Sequence, residues 1–348
     1  MNVKTTELYA IAKTGGLQPR ALERERGGLL VTVRGARVLG IYLDGVDENL
    51  LWVNPQVLGD AEMAQRTVGA GEWNVGGDRV WYAPEIELHF QNPQQPAHDN
   101  YAVPPDLDPG RYEVRDESPA GLALKCKGAA RNLVSGGELR YKAKRTIRLC
   151  EAPVAADGLS YVGYELSSEL RIKADKSEPG CYGLWQLMQL PAGGNVYIPT
   201  RGQPELVDYF QTGITEHVRV GDGHVVFPIT GTHQHKLGLR ADHVRGLMGY
   251  YRVVGDAATL IVRQAAVFPG AVYADYPAHD RARRDIALQF YNGSGSPSPF
   301  GEMEYHSPAA VADGFYHVRD VSRTWCFAGP TPDVRRVATA LLGIAGIE

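Results

Sequence analysis

Long apolar runs are missing from this sequence. No stretch approaches the roughly 20 consecutive apolar residues that a membrane-crossing helix needs. The opening residues Met1 to Tyr9 also lack the apolar centre of a signal peptide, so a cytoplasmic protein is expected, or a periplasmic one if a leader has been removed. Neither sign of charge is in surplus. The 36 Lys and Arg against 40 Asp and Glu leave a net charge of −4, and a field that weak calls for neither nucleic acid nor a membrane as partner. Cysteine is sparse: Cys126, Cys150, Cys181 and Cys326 are scattered, with no C-x-x-C pair and no zinc spacing. They fit buried thiols in a reducing compartment or two disulfides in an oxidising one. A G-x-S-x-G elbow, a P-loop and a dinucleotide fingerprint are all absent, which lowers serine-hydrolase, NTPase and Rossmann readings. Nothing in the composition calls for a cofactor.

Glycine and proline are abundant, at 40 and 22 residues, as in proteins built from strands and turns. Eighteen Tyr and five Trp outnumber eight Phe, which tilts the aromatics toward rings with a polar edge. Such rings suit both strand packing and stacking on a sugar. Strands are expected at Gly28–Val33, Ala36–Leu43, Asn49–Val53, Gly137–Leu149, Ser160–Ile172, Gly183–Leu190, His217–Val220, Val225–Ile229, Leu247–Val254, Ala258–Ala266 and Ile286–Tyr291. In Gly137–Leu149 the residues Arg140, Lys142, Lys144 and Arg148 fall on one side. That row reads as a solvated face, with attraction of an anionic saccharide as the minority reading. Helices are expected only around Asp60–Arg66 and at about 333–344, the latter with a stripe of Val334, Val337, Ala338, Leu341 and Leu342 behind Pro332 and Asp333. The fold class that follows is all-β: a large antiparallel β-sandwich with few short helices. Residues 1–27 form an N-terminal extension and 28–348 a single domain, with a Pro-rich loop at about 86–110 of the kind that covers sites.

Four segments carry chemistry. In Phe300-Gly301-Glu302-Met303-Glu304-Tyr305-His306, strand alternation turns Glu302, Glu304 and His306 the same way. Two carboxylates and an imidazole in one row are either a wet strand face or a site holding a base, a hydroxyl-binding group and a proton donor. The approach from Asn292 to Pro299 is rich in Gly, Ser and Pro, as a loop would be. In Val75-Gly76-Gly77-Asp78-Arg79-Val80-Trp81-Tyr82-Ala83-Pro84-Glu85, paired glycines permit a tight bend. Arg79 and Trp81 then share a face, as packing residues or as a clamp for a sugar ring and its oxygens, with Glu85 just beyond. In Thr230-Gly231-Thr232-His233-Gln234-His235-Lys236, His233 and His235 share a strand face and could ligate a metal, although no carboxylate follows at the expected distance. Lys236 faces the other way. In Cys181–Leu190, Trp185 and Gln189 line one face, and Gln189 in an apolar strand needs a partner.

Taken in order over residues 28 to 328, these segments resemble the galactose mutarotase-like superfamily, in bacterial branches distant from the true aldose 1-epimerases. The points of resemblance are Gly35–Leu39 with Asn49–Val53, Gly76–Glu85, Trp185–Gln189, His235–Gly238 and Phe300–Pro308. The resemblance implies a supersandwich whose concave sheet face binds a carbohydrate. In the epimerases a late-chain glutamate removes the anomeric hydroxyl proton and a histidine donates to the ring oxygen. Glu302 or Glu304 falls where that base belongs, and Arg79 near the early substrate-binding region. The histidine carried there by a mid-chain strand is missing from Gly183–Leu187, so either His233 or His235 substitutes from another strand or the mutarotase reaction is not performed. The resulting expectation is a carbohydrate-active, epimerase-like protein with Glu302 or Glu304 as base and His233 or His235 as acid. Arg79, Trp81, Glu85, Trp185, Gln189, Lys236 and His306 would bind the sugar, with no resident metal. The alternatives are a non-catalytic carbohydrate-binding protein and a metal-dependent enzyme using His233 and His235.

Overall fold

A computed structural model describes residues 3–58, 62–63, 65–66, 72–174, 179–295 and 298–348. The short helix expected around Asp60–Arg66 and the Ser296-Pro297 step of the approach loop lie partly or wholly outside the described residues. Alternation of apolar and polar side chains folds the rest into two ten-stranded sheets packed face to face. The all-β sandwich expected from the sequence is the observed architecture.

In the first sheet the spatial order is β1 (Pro19–Arg24), β2 (Gly27–Thr32), β3 (Arg37–Leu43), β4 (Asp78–Ala83), β9 (Pro179–Pro191), β18 (Phe300–His306), β17 (Ile286–Gly293), β14 (His235–Arg240) and β11 (Val207–Asp208). A short β19 (Ala310–Asp313) pairs with the start of β9. The second sheet runs β12 (Arg219–Gly221), β13 (His224–Ile229), β10 (Gly194–Pro199), β15 (Leu247–Val254), β16 (Ala257–Ala265), β20 (Phe315–Pro330), β8 (Ser160–Ala174), β7 (Glu138–Cys150), β6 (Gly121–Arg131) and β5 (Glu113–Ser118). All the pairings are antiparallel, so the two registers fix which side chains stand in rows.

The segment Asn49–Val53 is not the strand its composition suggests; only Val53 bridges, to Gly76. The reason is Asn49. Its side chain accepts from the Ile41 and Leu51 amides and donates to the Leu39 carbonyl, replacing a ladder with side-chain bonds. Around His217 the chain makes a 3₁₀ turn at Ile214–Glu216 before the short β12.

Helices cover parts of the outer faces. α1 (Val3–Thr14) buries Leu8 and Ala12 against Leu30 and Leu39 of the first sheet. A second, one-turn helix, α2 (Pro55–Leu58), joins the same cluster through Val57. Another short helix, α3 (Glu85–His89), follows β4 directly. The C-terminal α4 (Thr331–Leu342) has Pro at its first turn and left-handed Gly343 at its end. It buries Val334, Val337, Ala338 and Leu342 against Leu260, Val262 and Trp325 of the second sheet.

Between the sheets the core is mostly apolar, but not wholly. Asp78 of β4 and Arg263 of β16 form an ion pair with both side chains fully buried. The Tyr164 hydroxyl donates to the same carboxylate at 2.6 Å, and Arg263 Nε donates to Thr324 at 3.1 Å. A second bridge joins Gln186 of β9 to Asp320 of β20 at 2.9 Å, with the Tyr305 hydroxyl on the same oxygen. These bonds lock the two sheets at the level of β4, β9 and β18. Replacing one partner strands the other charge in a dry interior, so Asp78→Asn is expected to cost about 3–5 kcal/mol. Urea unfolding of the variant against the parent measures it; a loss below about 1 kcal/mol would mean the pair is not a fixed point of the core.

Candidate functional site

The register of five neighbouring strands assembles the site. Arg79 of β4 lies opposite Leu187, and Trp81 opposite Trp185 of β9. On β18, Glu302, Glu304 and His306 lie opposite Gln189, Leu187 and Trp185. Glu302 and Glu304 in turn face Tyr291 and Gln289 of β17, and Tyr291 faces Lys236 of β14. All of these side chains stand on the outer face of the first sheet, since the intervening Tyr82, Gln186 and Tyr305 reach the second sheet. Arg79 reaches this face because Gly76 (φ +107°) and Gly77 (φ +82°) turn the chain where a Cβ would strike the backbones of Trp52 and Val38.

A polar sheet face needs a cover, and residues 84–112 supply it. Asp108 fastens this segment: it pairs with Arg37 at 2.6 Å and accepts from Trp81 Nε1 at 2.7 Å. Beneath it, Trp81 lies against the guanidinium of Arg79 (4.4 Å) and stacks with His89 (5.1 Å). Trp185 lies against His306 (5.7 Å) and the ammonium of Lys236 (4.9 Å). Both indoles are buried, so neither has a face open to a ligand. The half-buried aromatics of this region include Trp73, Tyr101 and Tyr291, with Phe90 and Phe300 packed on the last two.

The charged groups are few and close. Lys236 Nζ stands 3.1 Å from Glu304 Oε2 and 3.7 Å from Glu85 Oε2. Glu304 Oε2 also accepts from Trp185 Nε1 at 2.7 Å, while its Oε1 has no partner. Arg79 Nη2 donates to Glu302 Oε1 at 3.1 Å. Asp275 accepts from the Glu85 amide at 2.9 Å and from Gln289 at 2.7 Å. Four carboxyl groups therefore share two cations in a space from which water is largely excluded, and they cannot all ionise freely. Burial, reinforced by Glu302 and Glu85 and only partly opposed by Lys236, pushes Glu304 up to about 8. Burial likewise raises Glu85 to about 7, against the pull of Lys236. Lys236 itself loses solvation, but Glu304 and Glu85 outweigh that loss and hold it charged. Desolvation drops His306 to about 4, so its ring is neutral, and neither of its nitrogens has a partner.

Of the residues named from the sequence, Arg79, Trp81, Glu85, Trp185, Gln189, Lys236, Glu302, Glu304 and His306 are brought together here. His233 and His235 are not. His235 turns to the opposite face of β14, where it stacks with His217 (4.5 Å) and packs on Phe227 of the second sheet. His233 sits at φ +56° in the preceding turn and is exposed. Among the described residues no three His, Cys, Asp or Glu side chains are placed to hold a metal, and the four cysteines are free thiols. Sequence reasoning missed Asp275, Tyr209, Gln289 and Tyr101. Gln289, alone among the apolar residues of Ile286–Phe290, carried a readable signal; Tyr209 and Tyr101 arrive on loops and carried none.

A raised carboxyl makes stability pH-dependent with a definite sign. Folded Glu304 keeps its proton up to about pH 8, whereas an unfolded glutamate releases it near 4.5. Its contribution to stability is complete below 4.5 and is lost as pH rises through 8. Glu304→Gln cannot titrate. Unfolding of both proteins at pH 5 and pH 8 should therefore show the parent losing ground to the variant as pH rises. A constant difference would mean that Glu304 ionises as an ordinary carboxylate.

Several solved structures are similar to this chain. A galactose mutarotase-like protein from Lactobacillus casei is 13% identical, with 88% of this chain and 99% of that one covered and a TM-score of 0.47. A galactose mutarotase related enzyme from Lactobacillus acidophilus is 10% identical over 88% and 97%, with a TM-score of 0.44. An Escherichia coli K12 protein provisionally called an aldose 1-epimerase is 11% identical over 90% and 99%, with a TM-score of 0.49. No curated protein matches the sequence. A family model matches residues 30–347, nearly the whole chain, and by that match the protein belongs to the family of unknown function DUF6786.

Proposed function

We propose that the outer face of the first sheet binds a saccharide and moves protons on it, in the manner of an aldose epimerase or mutarotase. The observation that carries this reading is Glu304. Its Oε2 is held by Lys236 and Trp185, its Oε1 is unpartnered, and its proton is retained up to about pH 8. A carboxyl that still carries its proton at neutral pH and releases it near 8 is suited to general acid work. With Oε2 accepting twice, the proton belongs on Oε1, and Glu304 is a donor. Glu302 on the same strand is paired with Arg79 and is the carboxylate that can accept.

The reaction then balances within the site. Glu302 takes the proton of the anomeric hydroxyl, Glu304 gives its proton to the ring oxygen, and the bond from that oxygen to the anomeric carbon breaks. The anomeric C–O becomes a carbonyl, the open chain rotates about the bond between the carbonyl carbon and the next carbon, and the ring oxygen closes on either face, with both protons returned. Lys236 offsets the negative charge left on Glu304. Neutral His306, Gln189 and Gln289 offer unpartnered polar atoms for hydroxyl groups. Stacking falls to the half-buried Trp73, Tyr101 and Tyr291, because the rings of Trp81 and Trp185 already lie against Arg79, His89, His306 and Lys236. Both cations already have carboxylate partners, so a neutral sugar suits the site better than a sugar acid or phosphate.

Anomer exchange followed by NMR over a panel of free neutral sugars tests the reading. Exchange should rise above the uncatalysed rate for at least one sugar, fall roughly 10²–10⁴-fold in Glu304→Gln or Glu302→Gln, and decline as pH rises through about 8. Trp73→Ala should weaken binding more than it slows exchange. Sugar binding without accelerated exchange would leave a carbohydrate-binding protein and defeat the epimerase reading.

A further inference from the structure

The outer face of the second sheet, on the far side of the sandwich from the site, divides in two. Over β15, β16 and the end of β20 it is covered by α4. Over β6, β7, β8 and the start of β20 no described element covers it, and the register sets its side chains in rows. One row runs Lys127, Lys142, Arg171, His317 across the four strands, and the next runs Lys125, Lys144, Glu169, Arg319. Arg140 beside Lys173 borders the first, and Arg148, Glu165 and Arg323 follow the second beyond an uncharged row of Ala123, Thr146, Ser167 and Val321. The four charged rows hold ten Lys and Arg against two Glu, in a chain whose net charge is −4.

Internal pairing uses up only part of this charge: Lys125 pairs with Glu113 of β5 at 2.9 Å, Arg140 with Glu138 at 2.6 Å and Arg323 with Glu165 at 2.9 Å. Glu169 is shared by Lys144, Arg171, His317 and Arg319, each within 3.6 Å. Lys127, Lys142, Arg148 and Lys173 enter no ion pair among the described residues. Solvation alone does not require so one-sided a face, since mixed signs keep a sheet equally soluble without self-repulsion. Neighbouring strands lie about 4.8 Å apart and alternate residues about 7 Å apart, which sets cations at sugar-sized intervals. The large apolar side chains exposed on this face are Val321 and Phe315, too few to enter a lipid layer. It presents no run of aromatic rings on which bases could stack.

We infer that this bare half of the second sheet binds a linear polysaccharide carrying an acidic group on successive sugars. Complementary charge at repeated spacing is the source of the affinity, and the contact does not depend on the carboxyl site on the first sheet. Its role is to hold the protein on the polymer rather than to process it.

Affinity electrophoresis and calorimetry of the full chain at low salt test the inference, with polygalacturonate as probe beside dextran, duplex DNA and phosphatidylserine vesicles. Polygalacturonate should bind, dextran should not, and binding should weaken as salt rises. Lys127→Glu with Lys142→Glu should weaken it roughly tenfold, the corresponding double Gln variant by less, and Glu304→Gln should leave it unchanged. Both altered positions are exposed, and circular dichroism confirms that the variants are folded. No binding of polygalacturonate, equal binding by the Glu variant, or tighter binding of DNA or vesicles would each overturn the assignment.

Discussion

The ammonium of Lys236 lies buried between Glu304 and Glu85, and the rest of the candidate site depends on that contact. A carboxyl buried without a cation would simply stay protonated, and a buried lysine without acids would shed its charge. Together they leave a group whose proton is loosely held near neutral pH. Lys236 also rests on the ring of Trp185, which in turn donates to Glu304. One side chain therefore sets the charge, the orientation and the packing of the glutamate beside it.

That arrangement is affordable because the strands beneath it are fixed from the other side. Asp78 and Arg79 are consecutive on β4: the first turns inward to Arg263, and the second outward to Glu302. Gln186 and Trp185 are consecutive on β9, and Tyr305 and Glu304 on β18, with the same division. Arg79, Trp185 and Glu304 thus each have an immediate neighbour anchored to the second sheet. Period-two alternation makes this possible, because a strand can devote alternate residues to holding its register and to chemistry.

How much of this could be read from the sequence follows from the same alternation. The pattern of β7, with Leu139, Tyr141, Ala143 and Ile147 inward and Arg140, Lys142 and Lys144 outward, is visible without coordinates. So is the shared direction of Glu302, Glu304 and His306, since it needs only one strand. The neighbours of that strand cannot be read in the same way. β18 is flanked by β9, more than a hundred residues earlier, and by β17, and no local pattern encodes such a pairing. Asp275 and Tyr209 reach the site from loops, where no periodicity points. His233-Gln234-His235 illustrates the opposite hazard. Spacing alone suggests two ligands on one face, but the chain turns at His233, and His235 finds an aromatic stack between the sheets instead.

The two outer faces of the sandwich answer different electrostatic problems. On the first sheet the acids outnumber the cations but are covered, so the excess is relieved by holding protons rather than by attracting counter-ions. On the second sheet the cations outnumber the acids but are exposed, so each keeps its charge and the excess acts through water on whatever approaches. Burial decides which outcome applies. An acidic cluster under a lid becomes a store of protons, whereas a basic face in solvent becomes an attractive field. A chain of net charge −4 can carry both because the core between the faces keeps them apart, and because neither effect depends on the sum of the charges.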